Sequence, residues 1–378
     1  MRLIVTGPDG GRPAAPVAAR IPLDRLNNQR MLGMIDEGTG RAVPVQVDSR
    51  GRLCWLQDEL EAGEIQRYRL DSQAFVVDAS RVVVCEHDNG SALISQDGRI
   101  VARYIGKPEG RRPFLSAVQS PAGGEAAAGG DRAMVSGGTE SAFSHSCWVG
   151  WADVNGVDHW SDSDAAGTQR HRRFTLSSSG PVFGRISSLI EWLGANDARQ
   201  FCEQRVFTVY AVQGNYRIID MISRMVMTDG PVTFRDTVDG GLCALRVAEA
   251  LAPQRGGKIR NSNCEEGEAE CWGEAADWCD LTGASNERLV GVTVMDHPNN
   301  LRHPTHWNVR EDGLIAANPF GLSGFLNDPQ VTGGRSFDGG SVFMSRYRLV
   351  IHEGSPAAEE VAQMFACFSQ PLGIVVES

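Results

Sequence analysis

A chain of 378 residues with 42% hydrophobic and 22% charged side chains is long enough for one large core or two smaller ones. Its 36 basic residues against 47 acidic ones give a net charge of −11, which excludes the basic surface that nucleic acid requires. No apolar run approaches the ~18–20 residues of a membrane span, and the 43 glycines and 17 prolines favour short strands joined by turns over long helices.

The first seventy-odd residues read as a small β unit. Residues 2–6 and 14–21 are extended, separated by the turn Gly7-Pro8-Asp9-Gly10-Gly11. Residues 40–48 alternate with period two, and 51–56 and 64–70 complete the unit. A boundary near residues 72–78 predicts a small N-terminal β domain over 1–75, a main β-sandwich over 76–354, and a helix with tail over 355–378. Within the main part, strands are predicted at 81–85, 92–95 and 100–105, punctuated by Asn89-Gly90 and Asp97-Gly98. Residues 119–140, rich in Ala and Gly, read as a mobile loop. Further strands follow at 185–192, 198–212, 216–226, 232–236, 242–249, 289–295 and 341–352, with 198–212 and 216–226 forming an antiparallel meander. One helix is signalled: Ser355 caps, Pro356 suits the first turn, and Val361, Met364, Phe365 and Phe368 recur at helical spacing. The expected fold is all-β, a large antiparallel sandwich with one C-terminal helix. The nine cysteines, an odd number, and an N-terminus too soon broken for a signal peptide predict a cytoplasmic protein with reduced thiols.

Three stretches concentrate chemistry. Residues 143–160 hold Trp148, Trp151 and Trp160 beside Asp153, Asn155 and His159, a composition suited to stacking and hydrogen-bonding a sugar and equally to a Trp-rich core. Residues 271–280 add Trp272, Trp278 and a run of acids; the spacing of Cys264, Cys271 and Cys279 does not match a structural zinc site. Residues 295–310 place His297, His303 and His306 within ten residues, with Asp296, Asn300, Trp307 and Arg310. Imidazoles after a strand suit acid–base work, and the fork of Arg310 suits a carboxylate or oxyanion. A metal held by His297, His303 and His306 with Asp296 is the alternative, opposed by the two prolines of the loop. No nucleophile elbow, Walker loop or dinucleotide fingerprint occurs.

Taken in order, Asp153-Val154-Asn155-Gly156-Val157-Asp158-His159-Trp160, Trp272-Gly273 with Trp278, Asp296-His297-Pro298-x-Asn300, His306-Trp307-x-Val309-Arg310, Ala317-Asn318-Pro319-Phe320-Gly321 and Tyr347-Arg348-x-Val350-x-His352-Glu353-Gly354 resemble the bacterial family DUF6807, which carries the label "methane oxygenase PmoA". The resemblance covers about residues 80–354. A methane oxygenase subunit spans a membrane, and this chain has no segment to do so. The resemblance therefore implies a mutarotase-like supersandwich of sugar catabolism. It also implies an Asp-His-x-His-His-Arg stretch before the Trp-rich motif. Residues 139–146 hold only His145 there, without Asp or Arg, so His145 is the implied substitute.

The expected function is a carbohydrate-active enzyme, a lyase, hydratase or hydrolase acting on a sugar or oxidised sugar. His297 and His306 are the acid–base pair, Asp296 orients an imidazole, Arg310 holds an oxyanion and His145 is the fourth candidate. Trp151, Trp160 and Trp307 form the stacking wall, with Asp153, Asn155 and Asn300 as polar contacts. No cofactor is obligatory, a divalent metal being the variant above. The partner is a small sugar or glycoside, with neither nucleic acid nor membrane, and a homo-oligomer fits. The rival reading is a non-catalytic sugar-binding or assembly protein.

Overall fold

The computed structural model describes residues 1–22, 33–71, 74, 79–107, 110–121, 133–135, 147–211, 214–285 and 288–377. Strands hold 52% of the chain and helices 9%, so the fold is all-β. Two eight-stranded sheets dominate it. The front sheet runs in the spatial order His306–Val309, Leu314–Asn318, Gly240–Arg246, Cys147–Trp151, Phe114–Ser116, Arg99–Ile105, Ala92–Gln96, Val82–Glu86. The back sheet runs Thr168–Ser178, Phe183–Leu193, Arg199–Tyr210, Tyr216–Val226, Val342–Glu353, Arg288–Asp296, Trp278–Ser285, Lys258–Asn261. The expected meander is present, with Cys202 opposite Val226 and Val209 opposite Ile219.

Period-two alternation decides which side chains enter the sandwich. Along Arg199–Tyr210, residues Phe201, Phe207 and Val209 point inward and join one apolar cluster with Val149, Trp151 and Leu115 of the front sheet. Two inward positions of that strand carry charge. Glu203 and Arg205 are both fully buried, 2.7 Å apart. Arg205 also donates to Pro113 O at 2.9 Å and Gln169 Oε1 at 3.0 Å, while Glu203 accepts from Trp192 Nε1 and Ser223 Oγ, each at 2.8 Å. Each carboxylate oxygen of Glu203 accepts twice and each guanidinium nitrogen of Arg205 donates, which is the condition for burying charge.

The outer face of the back sheet is covered rather than open. A five-stranded sheet (Ile374–Glu377, Arg2–Thr6, Ile65–Asp71, Gly33–Asp36, Ala42–Val43) and a three-stranded one (Ala15–Arg20, Arg52–Gln57, Val45–Val47) form the N-terminal unit. Its core holds Leu3, Val5, Met34, Trp55 and Tyr68. It leans on the back sheet through Cys54 against Val182 and Phe183, and Gln46 Oε1 accepts from the backbone N–H of Val182 and Phe183 at 3.2 and 3.0 Å. The last strand, Ile374–Glu377, pairs antiparallel with the first, so the two ends of the chain share one sheet. The boundary expected at 72–78 lies largely outside the described residues, as do most of 119–140; of the latter, Ala133–Val135 pairs with Val118–Gln119.

The C-terminal helix, Ala358–Ser369, lays Val361, Met364, Phe365 and Phe368 on Trp278, Met295 and Val350 of the back sheet. It starts at Ala358, not at Ser355: Ala357 is the N-cap and no side chain caps it. Glu359 and Glu360 in the first turn oppose the positive end of the helix dipole instead. Below its entry, buried His352 meets Asp280 Oδ1 at 2.9 Å and Gly354 O at 3.1 Å. Gly291 stands opposite His352, and a Cβ there would come within 2.4 Å of the ring, so only glycine leaves room for that pair.

Removing one member of the interior ion pair strands the other. Glu203→Gln or Arg205→Met should each lower unfolding free energy by about 3–5 kcal/mol, and replacing both with apolar residues should recover much of it. Urea unfolding of the two single variants and the double variant measures this; single variants near wild type would deny the pair its structural role.

Candidate functional site

On the edge strand His306–Val309, Trp307 and Val309 face the core, which sends His306 and Asn308 to the other side. Register then sets a row across four strands: Asn308 opposite Ala316, Ala316 opposite Ala244, Ala244 opposite Trp148. All four of these residues are buried, none more than 2% exposed. Trp160, half-buried, tilts onto Trp148 with ring centroids 5.6 Å apart, and Phe114 packs on the same cluster.

Residues 272–274 flank this row at the edge strand. Trp272 Nε1 donates to Asn308 Oδ1 at 3.2 Å, and the Arg310 guanidinium lies 5.3 Å from the Trp272 ring while pairing with Glu268 at 3.4 Å. His306 is half-buried, stacked on Phe325 with centroids 5.8 Å apart and planes 14° from parallel. Its Nδ1 sits 2.6 Å from Gly273 O. A carbonyl only accepts, so the ring proton resides on Nδ1 and the lone pair on Nε2.

A second constellation lies at the end of the sandwich. Asp296 is fully buried and accepts from Thr305 N at 3.0 Å, Asn300 Nδ2 at 2.7 Å and His303 Nδ1 at 2.8 Å. His303 Nε2 meets the more exposed Asp277 at 3.2 Å. The Asp296 hydrogen bond, aided by the charge of Asp277, raises the His303 pKa above the usual imidazole value against the opposing pull of burial. The imidazole that Asp296 orients is His303, not His297 or His306.

The other sequence-derived candidates scatter. His297 lies on the outer side of the back sheet, its ring edge-on to Phe368 at 4.9 Å and its Nδ1 accepting from Asn299 N at 3.0 Å. Trp151 and Trp307 have no exposed surface; their indoles donate to Arg235 O at 2.9 Å and Ala276 O at 2.8 Å. The expected stacking wall is therefore corrected at these two positions: alternation turns both into the core, and only Trp160 keeps an open side. Asp153 and Asn155 shape a turn, Asp153 accepting from Gly156 N at 2.8 Å and Asn155 from Thr233 N at 2.8 Å. Asn300 is buried and ties Asp296 to the Arg346 backbone at 2.7 Å. His145 lies outside the described residues. His297, His303 and His306 engage separate partners, and among the described residues no group of three or more His, Cys, Asp or Glu is placed to hold a metal ion. His159 is buried against Trp192, where loss of solvation pushes its pKa down to about 4.

Phe325, Asn308 and the His303–Asp277 contact were not singled out from sequence, and Trp148 was named in the Trp-rich stretch without a role. Trp148 lies beside Trp151 in a run where the strand phase alone separates core from surface. Phe325 approaches His306 from 19 residues away, with no local signal.

The His303 cation adds stability that is complete below the unfolded imidazole pKa of ~6.5 and fades as pH rises through the higher folded value. His303→Gln should therefore cost most in melting temperature at about pH 6, with the gap to wild type closing by about pH 9. A gap of constant size across that range would mean that the proton on His303 contributes nothing.

No helix among the described residues is long and apolar enough to cross a membrane. No curated protein matches the chain. The model of a family described as "Family of unknown function (DUF6807)" matches residues 91–366, a span that includes both constellations, the whole back sheet and all of the front sheet but the strand Val82–Glu86. The chain belongs to the DUF6807 family.

Proposed function

We propose that the outer face of the front sheet binds a sugar or an oxidised sugar derivative, and that His306 is the acid–base group of a lyase or hydrolase acting on it. One observation carries the reading: the Gly273 carbonyl holds the proton of His306 on Nδ1 at 2.6 Å, so Nε2 is left as a basic site on a ring fixed by Phe325. Orientation of that kind is what a general base requires.

The surroundings fit a pyranose. Trp160 and Phe114, both partly buried, supply apolar surface at the margin of the buried cluster of Trp148, Ala244 and Ala316. Arg310 stands four residues along from His306 and on the same side, roughly 13 Å in strand rise, so its long side chain and the imidazole would meet opposite ends of one sugar. In an elimination, Nε2 takes the proton from the carbon next to a carboxylate or carbonyl, and Arg310 holds the enolate oxygen. The β-hydroxyl then leaves with the returned proton as water. Hydrolysis of a glycoside would use the same imidazole to activate water. All nine cysteines are free thiols, which suits the reducing cytoplasm.

Melting shifts with a panel of neutral sugars and uronic acids identify the ligand class, and turnover is then measured on the best binder. His306→Ala should lower turnover by ~10²–10⁴-fold with the melting temperature little changed. Turnover per folded molecule equal to wild type would remove His306 from the chemistry.

A further inference from the structure

On the opposite side of the molecule a cavity of about 280 Å³ lies between the back sheet, the N-terminal unit and the end of the C-terminal helix. Its charge is lopsided. Arg12, Arg50, Arg52, Arg185, Arg346 and Arg348 line it against a single carboxylate, Asp220. Arg348 spends its charge on Asp220 at 2.7 Å, and Arg52 on Asp48 at 2.7 Å. Arg12, Arg50, Arg185 and Arg346 have no carboxylate partner among the described residues. In a chain with 47 acidic and 36 basic residues, four unneutralised cations around one recess are not the product of composition.

Two of the four are held in place by the fold. Arg12 is only 7% exposed; its terminal nitrogens donate to Cys367 O at 3.1 Å and Gln370 O at 3.4 Å, and its Nε–H has no acceptor among the described residues. A buried cation that meets carbonyls and a thiol but no carboxylate, and keeps an unused N–H, is costly unless something else completes it. Burial and the neighbouring charge of Arg348 push its pKa down, partly offset by the Cys367 thiol. Arg185 is anchored by Nε on Thr208 Oγ1 at 2.9 Å and lies 4.6 Å over the Phe183 ring. His297, whose Nδ1 is occupied by Asn299 N–H, carries its proton on Nε2 and lines the same cavity as a donor.

We propose that this cavity is a binding site for a small phosphate monoester, separate from the His306 face. Guanidinium forks match phosphate oxygens two at a time, and a monoester brings about −1.5 to −2 charge, which four unpaired arginines can absorb. The volume lies just under the ~300–1,000 Å³ range of small-molecule sites, which limits the ligand to a few carbons beyond the phosphate. Phe183, Phe368 and Leu372 give those carbons apolar contact. Because the walls come from both ends of the chain and from the back sheet, an occupant would also fasten the N-terminal unit to the sandwich.

Calorimetric titration of the full chain with inorganic phosphate, against sodium chloride at equal ionic strength, tests the site. Phosphate should bind saturably and raise the melting temperature. Arg185→Gln and Arg346→Gln should each weaken it by ~10-fold, while the melting temperature without phosphate stays level or rises, since one of four mutually repelling charges is gone. Succinate, equal in charge with its two negative ends apart, should bind more weakly; succinate binding as tightly as phosphate would overturn the monoester assignment. Absence of saturable phosphate binding, or affinity unaltered in both variants, would overturn the site itself. His306→Ala should leave phosphate affinity unchanged, and its loss there would overturn the independence of the two faces.

Discussion

The pair Glu203–Arg205 is the constraint around which the sandwich is organised. Both side chains come from one central strand of the back sheet and both are fully buried, so neither can be solvated and each must be satisfied by protein. That requirement reaches across the layers. Arg205 needs Pro113 O and Gln169 Oε1 in place, and Gln169 in turn donates to Val149 O of the front sheet at 2.8 Å. Glu203 needs Trp192 and Ser223 on the strands either side. Slipping the central strand by one residue would turn both charges to the opposite face and abandon all of these partners. The register of the back sheet and its stacking on the front sheet are thus tied to one another, and the row through Trp148 and Ala244 depends on that tie.

The two outer faces have been put to different uses. The front sheet leaves Trp160 and His306 partly exposed, and its polar groups there are oriented but not exhausted. On the back sheet the outer face is covered by a second small core and by a helix, and the cover is imperfect where arginines from the N-terminal unit and the sheet converge. Burial of apolar surface by Phe183, Cys54 and Leu56 holds the cover on, at ~25 cal/mol per Å² of area removed from water. The unpaired arginines work against it by mutual repulsion. A fold selected for stability alone would place a second carboxylate beside Asp220 among them.

Much of the architecture was legible in the sequence because period-two alternation is a local property. The runs around 199–210, 216–226 and 342–353 announce strands, and the 361, 364, 365, 368 spacing announces the helix. The phase of those strands was harder to read, since Glu203 and Arg205 occupy inward positions that a hydrophobic count assigns to solvent. Pairings were not legible at all: nothing local tells residues 374–377 that they will lie beside residues 2–5. Tryptophan gave the weakest guidance at the site. Trp151 and Trp307 read as ligand-stacking residues from their polar neighbours, yet an indole has the same apolar body and single N–H donor in a core as in a cleft, and only strand phase distinguishes the two.

The histidine cluster shows why closeness in sequence misleads. The strand ending at Asp296 belongs to the back sheet, whereas the strand starting at His306 belongs to the front sheet, so residues 297–305 are the chain's crossing from one layer to the other. His297 stays at the outer side of the back sheet, His303 is caught midway between Asp296 and Asp277, and His306 emerges on the opposite face. A segment that crosses the thickness of a sandwich cannot converge its side chains on a single ion; it distributes them to three environments. Asp296 anchors the crossing because it is buried at its first turn and accepts from Asn300, His303 and Thr305 along its length. The same carboxylate therefore fixes the loop that presents His297 to the arginine cavity and the residue before His306 on the open face. The loop's chemistry is divided between two surfaces, with one buried acid common to both.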